Sequence, residues 1–295
     1  VKLEKIPDYI RDTMEWFMGC YKSCFMAICL LKGRRKDKEA TPMNIQDEEC
    51  RQYLEDEFTN EQICDVDFCS LVELPHGLDY NEWLATHTIT FFEHISLMYD
   101  TISEFCTSSG CCNMTGPANS SYVWEDSRGK KCKCSAPQYV DYVMSHSQTC
   151  VCDESVFPTK YGNLFPSSFE STVRKIHRLL FHVIAHIYHS HYKEIVQFKL
   201  HAHLNTLFLH FMAFSRHFKL LEDHKESECL DALYAKLVCA NIARRHPDKP
   251  VESNGDASPV KSSGDCLPPP PSAHELEENK ENLMEQSAEQ HEASS

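Results

Sequence analysis

Two pairs of residues in this chain have the spacing of ligands for a metal ion. Cys106 and Cys111 are separated by four residues, and His186 and His191 repeat that spacing about eighty residues later. Two thiolates and two imidazoles would fill the four tetrahedral positions of a zinc ion and leave no position for a reactive water. Because such a site joins distant segments of a chain, the pattern favours a zinc-stabilised binding protein over a metalloenzyme.

The spacing alone leaves other ligand sets open, because the chain contains 16 Cys and 17 His. On an ideal helix His186 and His191 would point about 140° apart, although zinc sites do use histidines separated by three to five residues. The competing residues are Cys112, Cys132, Cys134, Cys150, Cys152, His182 and His189. The alternative to a metal site is a set of buried thiols and of histidines on a helix surface.

The composition divides the chain into three parts. Its 295 residues, 42% of them hydrophobic, are enough for one large or two small domains. From residue 246 onward there are 11 Asp and Glu, 3 Lys and no Arg, so this Pro- and Ser-rich segment carries −8 of the formal charge of −15. Such a segment buries too little apolar surface to fold. We predict a flexible arm over 1–62, Cys-rich and then charged, a folded domain over 63–245 and a disordered acidic tail over 246–295.

Charge and cysteine content restrict the partners and the compartment. The acidic balance disfavours nucleic acid and favours basic partners. No signal peptide is recognisable, so we expect thiols and metal ligands rather than disulfides, and a location in the cytoplasm and the nucleus. The apolar stretch 16–31 is short and contains Lys22, so we do not expect membrane anchoring.

Helical spacing of apolar residues dominates the predicted domain. Asp79 and Glu82 form a capping box before a long amphipathic helix that would place Cys106 at its end. Further helices are predicted after Ser135, after a second capping box at 167–170, and over 204–218 and 230–242, with a small β-hairpin made of 122–124 and 131–134. The pattern predicts an all-α bundle with one hairpin.

No catalytic motif accompanies these elements. The chain lacks the signatures of nucleophile-elbow hydrolases, kinases, phosphate-binding loops and HExxH proteases. A zinc hydrolase would need an open metal position and a general base. Glu194 lies one turn beyond His191, but nothing in the sequence distinguishes it from a surface carboxylate. We therefore predict no enzymatic activity.

Several stretches resemble the MOB (Mps one binder) kinase-activator family. They are Asn-Glu-Trp-Leu-Ala at 81–85, Thr-Ile-Ser-Glu-Phe-Cys at 101–106, Lys-Cys-Ser-Ala-Pro-Gln-Tyr-Val at 133–140, and residues 181–191 and 202–206. Their order and spacing cover roughly residues 63 to 240. Residues 14–19, 157–162 and 165–171 are most similar to the MOB kinase activator 2 branch of the family.

The resemblance implies a fold, a cofactor and a partner. The fold is a MOB-type helical bundle with a four-helix core, and one structural Zn²⁺ per chain is held by Cys106, Cys111, His186 and His191. Family members are not catalysts; they bind the basic N-terminal regulatory region of NDR-family Ser/Thr kinases through an acidic face and modulate the kinase. The alternative is a scaffold subunit of a striatin-type phosphatase and kinase complex, as for the phocein-related members.

Five residues carry the partner predictions. Asp79, Glu82 and Trp83 are the candidate partner-binding residues, since they place two carboxylates beside an aromatic side chain at a helix start. Each also has a structural interpretation, with Asp79 as helix cap and Trp83 as core residue. Leu179 and His182 stand where phosphopeptide-binding members have two arginines that would grip a phosphate. We therefore expect phosphopeptide binding to be weak or absent.

Overall fold

The structure is a computed structural model that describes residues 51–126, 128–159, 163–221 and 227–246. All of them belong to one compact unit, Val1–Pro250. The predicted arm up to residue 50, the tail from residue 247 and the stretch 160–162 lie outside the described residues. The division of the whole chain into arm, domain and tail stays a prediction.

Helices make up most of the described chain, which confirms the mostly helical fold. In chain order they are α1 (Asp56–Thr59), α2 (Phe68–Val72), α3 (Tyr80–Ile102), α4 (Ala136–Cys152), α5 (Phe169–Ser190), α6 (Tyr192–Gln197), α7 (His201–His217) and α8 (Asp231–Arg245). Short 3-10 helices cover Gln52–Leu54 and Glu228–Leu230. No helix within these described ranges combines the length and the apolar content that crossing a bilayer requires.

α3 begins where the first capping box predicts. The Asp79 carboxylate accepts hydrogen bonds from the backbone N–H groups of Asn81, at 2.8 Å, and Glu82, at 3.0 Å, which satisfies donors that a helix start leaves unpaired. The helix ends at Ile102, four residues before Cys106. Phe105 lies beyond this end and is exposed.

α3 is the central helix of the bundle and contacts α4, α5 and α7, while α8 packs on α7. Five apolar residues that recur at helical spacing along α5 are all fully buried, namely Val173, Ile176, Leu180, Val183 and Ile187. Burial of apolar surface on this scale is the main favourable term in folding. It fixes α5 against α3, and therefore fixes the histidines of α5 relative to the chain that follows α3.

The packed body begins earlier than the predicted boundary at residue 63. Tyr53 and Phe58 are buried in the core. The Asn205 side chain donates a hydrogen bond to the Phe58 carbonyl at 2.8 Å, and the Gln62 side chain donates to the backbone of α8 at 2.9 Å. Residues 52–62 therefore belong to the body and not to a flexible arm, which corrects the prediction.

Two small antiparallel ladders lie between α3 and α4. β1 (Thr115–Gly116) pairs with β2 (Ser120–Ser121), and β3 (Trp124–Glu125) pairs with β4 (Lys131–Cys132). The second ladder confirms the predicted hairpin, whereas strands as short as β1 and β2 carry too little sequence pattern to be predicted. β1 packs against α5. A Cβ atom at Gly116 would lie 2.8 Å from the Tyr122 hydroxyl, so any larger residue there would have to displace the tyrosine ring.

The second capping box, predicted at 167–170, is wrong. α5 begins at Phe169 with Ser168 as N-cap, and no side chain caps it. The Pro166 carbonyl accepts a hydrogen bond from the Phe169 N–H at 2.9 Å, so the chain enters the helix through a backbone turn. By contrast, α4 begins after Ser135 with a proline in its first turn, as predicted.

Candidate metal centre

The four predicted ligands reach one place from three structural elements. Cys106 follows α3, and Cys111 follows a tight turn in which the Cys111 N–H donates to the Thr107 carbonyl at 2.8 Å. His186 lies in the last turns of α5, and His191 is the residue between α5 and α6. The structure therefore brings together two segments that are eighty residues apart in the chain.

The break between α5 and α6 explains how two histidines five residues apart face the same point. His191 has φ −130° and ψ 15°, which is outside the helical range. The 140° separation expected on an ideal helix does not apply across such a break. His191 is thereby turned toward His186, and the two ring centroids are 5.2 Å apart.

The distances fit a tetrahedral metal ion. The Cys106 Sγ lies 3.5 Å from the His186 Nε2, and the Cys111 Sγ lies 3.5 Å from the His191 Nε2. All four ligand atoms lie within 4.8 Å of one another. For the usual Zn–S and Zn–N bond lengths, the S···N edge of a tetrahedron is about 3.5–3.6 Å. The group could therefore hold a metal ion.

Hydrogen bonds set the protonation of the two thiols. The bond with Cys111 is the largest cause that lowers the pKa of the Cys106 thiol, and bonds with His186, His191 and Tyr99 lower it further. The same bond raises the pKa of the Cys111 thiol, as does burial. Hydrogen bonding within the group thus favours the thiolate form of Cys106. Thiolate is the form that ligates metals, and a bound cation would displace the remaining proton.

Contacts around the ligands orient some of them. The His186 Nδ1–H donates to the Thr115 carbonyl at 2.9 Å, which leaves Nε2 as the lone-pair nitrogen that faces the sulfurs. The Tyr99 hydroxyl bonds Cys106. Neither contact could be predicted from the sequence. Every residue has a backbone carbonyl, so the residue type does not reveal which one accepts the bond, and Tyr99 fits the apolar pattern of α3 like its neighbours.

The competing cysteines and histidines do not join the site. Across the described ranges, the Cys106, Cys111, His186 and His191 group is the only set of three or more Cys, His, Asp or Glu side chains placed to share a metal ion. His182 instead bonds the Tyr139 hydroxyl through Nδ1 at 2.7 Å.

The three candidate partner-binding residues have different environments. Asp79 is exposed and Glu82 is half-buried, so both carboxylates are accessible at the start of α3. Trp83 is fully buried, and its indole N–H donates to the Val72 carbonyl at 3.1 Å. The prediction that Trp83 contacts a partner directly is therefore wrong, and its alternative interpretation as a core residue holds.

The two positions that depart from phosphopeptide-binding members lie in the interior. Leu179 and His182 are 5% and 6% exposed. The His182 ring stacks on Tyr122, with 3.9 Å between centroids and 17° between planes. This stacking and the bond with Tyr139 hold the imidazole inside an aromatic cluster, so neither position presents a cation to solvent.

Comparison with known proteins places these features in a family. The sequence profile of the Mob1/phocein family matches residues 60–230. Human MOB kinase activator 2 is 49% identical over 246 residues, which cover 83% of this chain and 96% of that protein. Mouse MOB kinase activator 2 is 50% identical over 228 residues, which cover 77% of this chain and 89% of that protein. These matches confirm the resemblance to the MOB kinase activator 2 branch.

Relatives from flies are longer than this chain. The MOB kinase activator-like 2 of Drosophila melanogaster is 52% identical over 206 residues, which cover 70% of this chain but 36% of that protein. For the relative of the same name from Drosophila pseudoobscura pseudoobscura, the identity is 48% over 234 residues, which cover 79% of this chain and 41% of that protein. The chain thus spans less than half the length of these two relatives.

Proposed function

This chain belongs to the Mob1/phocein family, and from that premise we propose that it is a non-catalytic regulatory subunit of protein kinases. Specifically, it binds the basic N-terminal regulatory region of NDR-family Ser/Thr kinases and modulates their activity. The observation that carries the proposal is the 49% identity, over 83% of the chain, to a human relative named as a kinase activator. The choice of NDR-family kinases rests on the family resemblance of the motifs.

We propose that the metal is a structural Zn²⁺, one per chain, held by Cys106, Cys111, His186 and His191. The 3.5 Å sulfur–nitrogen distances support this choice, as does a set of two Cys and two His, which is typical of structural zinc. Four protein ligands leave no position for substrate or water. The ion therefore joins the chain after α3 to the α5–α6 break and contributes no reaction.

The start of α3 is the proposed kinase contact. Asp79 and Glu82 offer two accessible carboxylates there, and the formal charge of −15 would attract a basic segment at long range. Trp83 serves this surface indirectly, because its buried ring and its bond to Val72 fix the first turn of α3 against α2.

Neutralising the two carboxylates is expected to weaken kinase binding without unfolding the protein. In the double variant Asp79→Asn/Glu82→Gln, the asparagine still caps α3, because its side-chain oxygen can accept the same backbone hydrogen bonds. We expect slower association, a flatter salt dependence and an affinity loss of about 1–2 kcal/mol. Surface plasmon resonance with a peptide from an NDR kinase N-terminal region would measure all three.

The matched control is Asp141→Asn/Glu104→Gln, which changes the net charge equally at two exposed positions. Glu104 lies beyond the C-terminal end of α3, whose 23 residues span about 34 Å. Equal effects of the two double variants would show a general charge effect and contradict the assignment of the contact to Asp79 and Glu82.

Phosphopeptide binding is expected to be weak and independent of the phosphate. Leu179 and His182 are buried and supply no paired hydrogen bonds of the kind that arginine gives to phosphate. Phosphorylated and unphosphorylated forms of one peptide from an upstream kinase should therefore bind equally poorly in fluorescence anisotropy at pH 7.5. A gain of tenfold or more on phosphorylation would contradict this expectation.

We also propose the cytoplasm and the nucleus as the site of action. No disulfide joins two cysteines within the part of the chain that the structure describes, which supports a reducing compartment. Imaging of a fluorescent fusion of the full chain would test the location.

A further inference from the structure

Two polar side chains with unusual surroundings lie close together, one at the break between α5 and α6 and one in the first turn of α6. The Nδ1 of His191 and the Oε2 of Glu194 are both buried, and neither has a hydrogen-bond partner among the described residues. They lie 3.9 Å apart, which is too long for a hydrogen bond. Leaving a buried polar atom without a hydrogen bond is unfavourable, so two of them side by side call for an explanation.

The chemistry of a ligating imidazole supplies that explanation. When the Nε2 of a neutral histidine binds a metal, the ring proton lies on Nδ1 and that N–H requires an acceptor. His186 meets this requirement through the Thr115 carbonyl at 2.9 Å. The Nδ1 of His191 has no such carbonyl partner. The buried oxygen of Glu194 is the acceptor placed to take a hydrogen bond from it.

We propose that Glu194 is a positioning residue for the metal centre, whose carboxylate accepts the Nδ1–H of His191 when Nε2 ligates the ion. This inference rests on the proposed zinc site. Glu194 is in the first turn of α6, three residues after His191. Its side chain is 24% exposed, which leaves the carboxylate room to turn toward the His191 ring. The prediction that Glu194 is an ordinary surface carboxylate is thereby replaced.

The carboxylate acts on the metal through the histidine. It fixes the imidazole plane and tautomer, and its negative charge strengthens the Nε2 lone pair as a ligand. Partners of this kind change metal affinity by about 10–100-fold when they are removed. Glu194 makes no direct bond to the ion in this arrangement, because the two Cys and two His already complete the tetrahedron.

The test compares the full-length wild-type chain with Glu194→Gln and Glu194→Ala, and with Glu93→Gln as matched control on an exposed position of α3. Zinc content is first measured by atomic emission. Zinc release to a chromophoric chelator is then timed, and the imidazole N–H protons are observed by proton–nitrogen NMR. We expect release about tenfold faster or more for both Glu194 variants, and unchanged release for the control.

The NMR signal separates positioning from a general loss of stability. In the wild type a slowly exchanging Nδ1–H proton of His191 should be present, and it should disappear or shift strongly in both Glu194 variants while the Nδ1–H signal of His186 persists. One zinc per wild-type chain with equal release rates and an unchanged His191 signal would overturn the role of Glu194 alone. A wild-type chain without zinc would overturn both this inference and the proposed metal site.

Discussion

Loss of one metal ligand is expected to unfold the domain or to lower its melting temperature by more than about 10 °C. His186→Ala removes one of the four proposed ligands and also the hydrogen bond to the Thr115 carbonyl. Structural zinc contributes apparent binding energies of about 10–16 kcal/mol in small zinc domains, whereas whole domains are stable by about 5–15 kcal/mol. The proposed zinc ion would therefore account for a large share of the stability, because metal binding and folding are coupled.

His189→Ala is the matched control, since His189 is a half-buried histidine of the same helix outside the ligand group. Differential scanning fluorimetry with and without a chelator should show a large shift for wild type and a small one for His186→Ala. A chelated, zinc-free wild-type sample that melts at the same temperature as the loaded protein would contradict a structural role for the metal.

Mild acid is expected to destabilise the domain through two buried histidines. Burial lowers the pKa of His87 to about 3, and burial together with the nearby His87 lowers the pKa of His177 to about 3. His177 bonds the hydroxyls of Thr88 and Ser215 at 3.2 and 2.9 Å, and His87 stacks on Phe214. Both rings are therefore held as neutral members of the core.

The direction of the pH dependence follows from the pKa values of these two histidines in the folded state. In the unfolded chain these histidines bind protons below a pKa of about 6.5, while in the folded chain they stay neutral until about pH 3. Their contribution is complete above pH 6.5 and is lost as the pH falls from 6.5 toward 3. Between pH 6.5 and pH 5 each histidine should lower the free energy of unfolding by about 2 kcal/mol, which is a slope of about 1.4 kcal/mol per pH unit.

The variant His87→Phe separates this effect from protonation of the metal ligands, because it keeps all four of them. Chemical denaturation at pH 7 and pH 5, with excess zinc, should show that the variant loses about 2 kcal/mol less than wild type between the two conditions. Equal losses of stability between pH 7 and pH 5 in the variant and the wild type would show that His87 is not the source of the acid sensitivity.

Local signals in the sequence predicted the helices and their starts where one side chain decides the outcome. Asp79 caps α3 as predicted. The N–H groups of the residues two and three positions after it have no partner within the helix, and its carboxylate is placed to accept their hydrogen bonds. At the start of α5 the same type of signal failed, since Pro166 already directs the chain into a turn that needs no serine side chain.

Tertiary contacts decided the features that the sequence left open. The spacing of His186 and His191 was ambiguous until the break at residue 191 became visible, and the resemblance to a family chose these ligands on other grounds. Tyr53 and Phe58 lie among Arg51, Glu55 and Glu57, so composition marks this stretch as solvated although both rings are buried. The residue type of Trp83 is compatible with a side chain that contacts a partner and with a residue of the hydrophobic core, and only its burial distinguishes the two.

The most direct test of the proposed function is a binding titration of the full-length, zinc-loaded chain with a recombinant NDR-family kinase that contains its N-terminal regulatory region. Isothermal calorimetry at two salt concentrations should show a one-to-one complex whose affinity falls as salt rises, because a basic segment meets an acidic surface. A properly folded chain with one zinc ion that shows no binding to the kinase at either salt concentration would contradict the account.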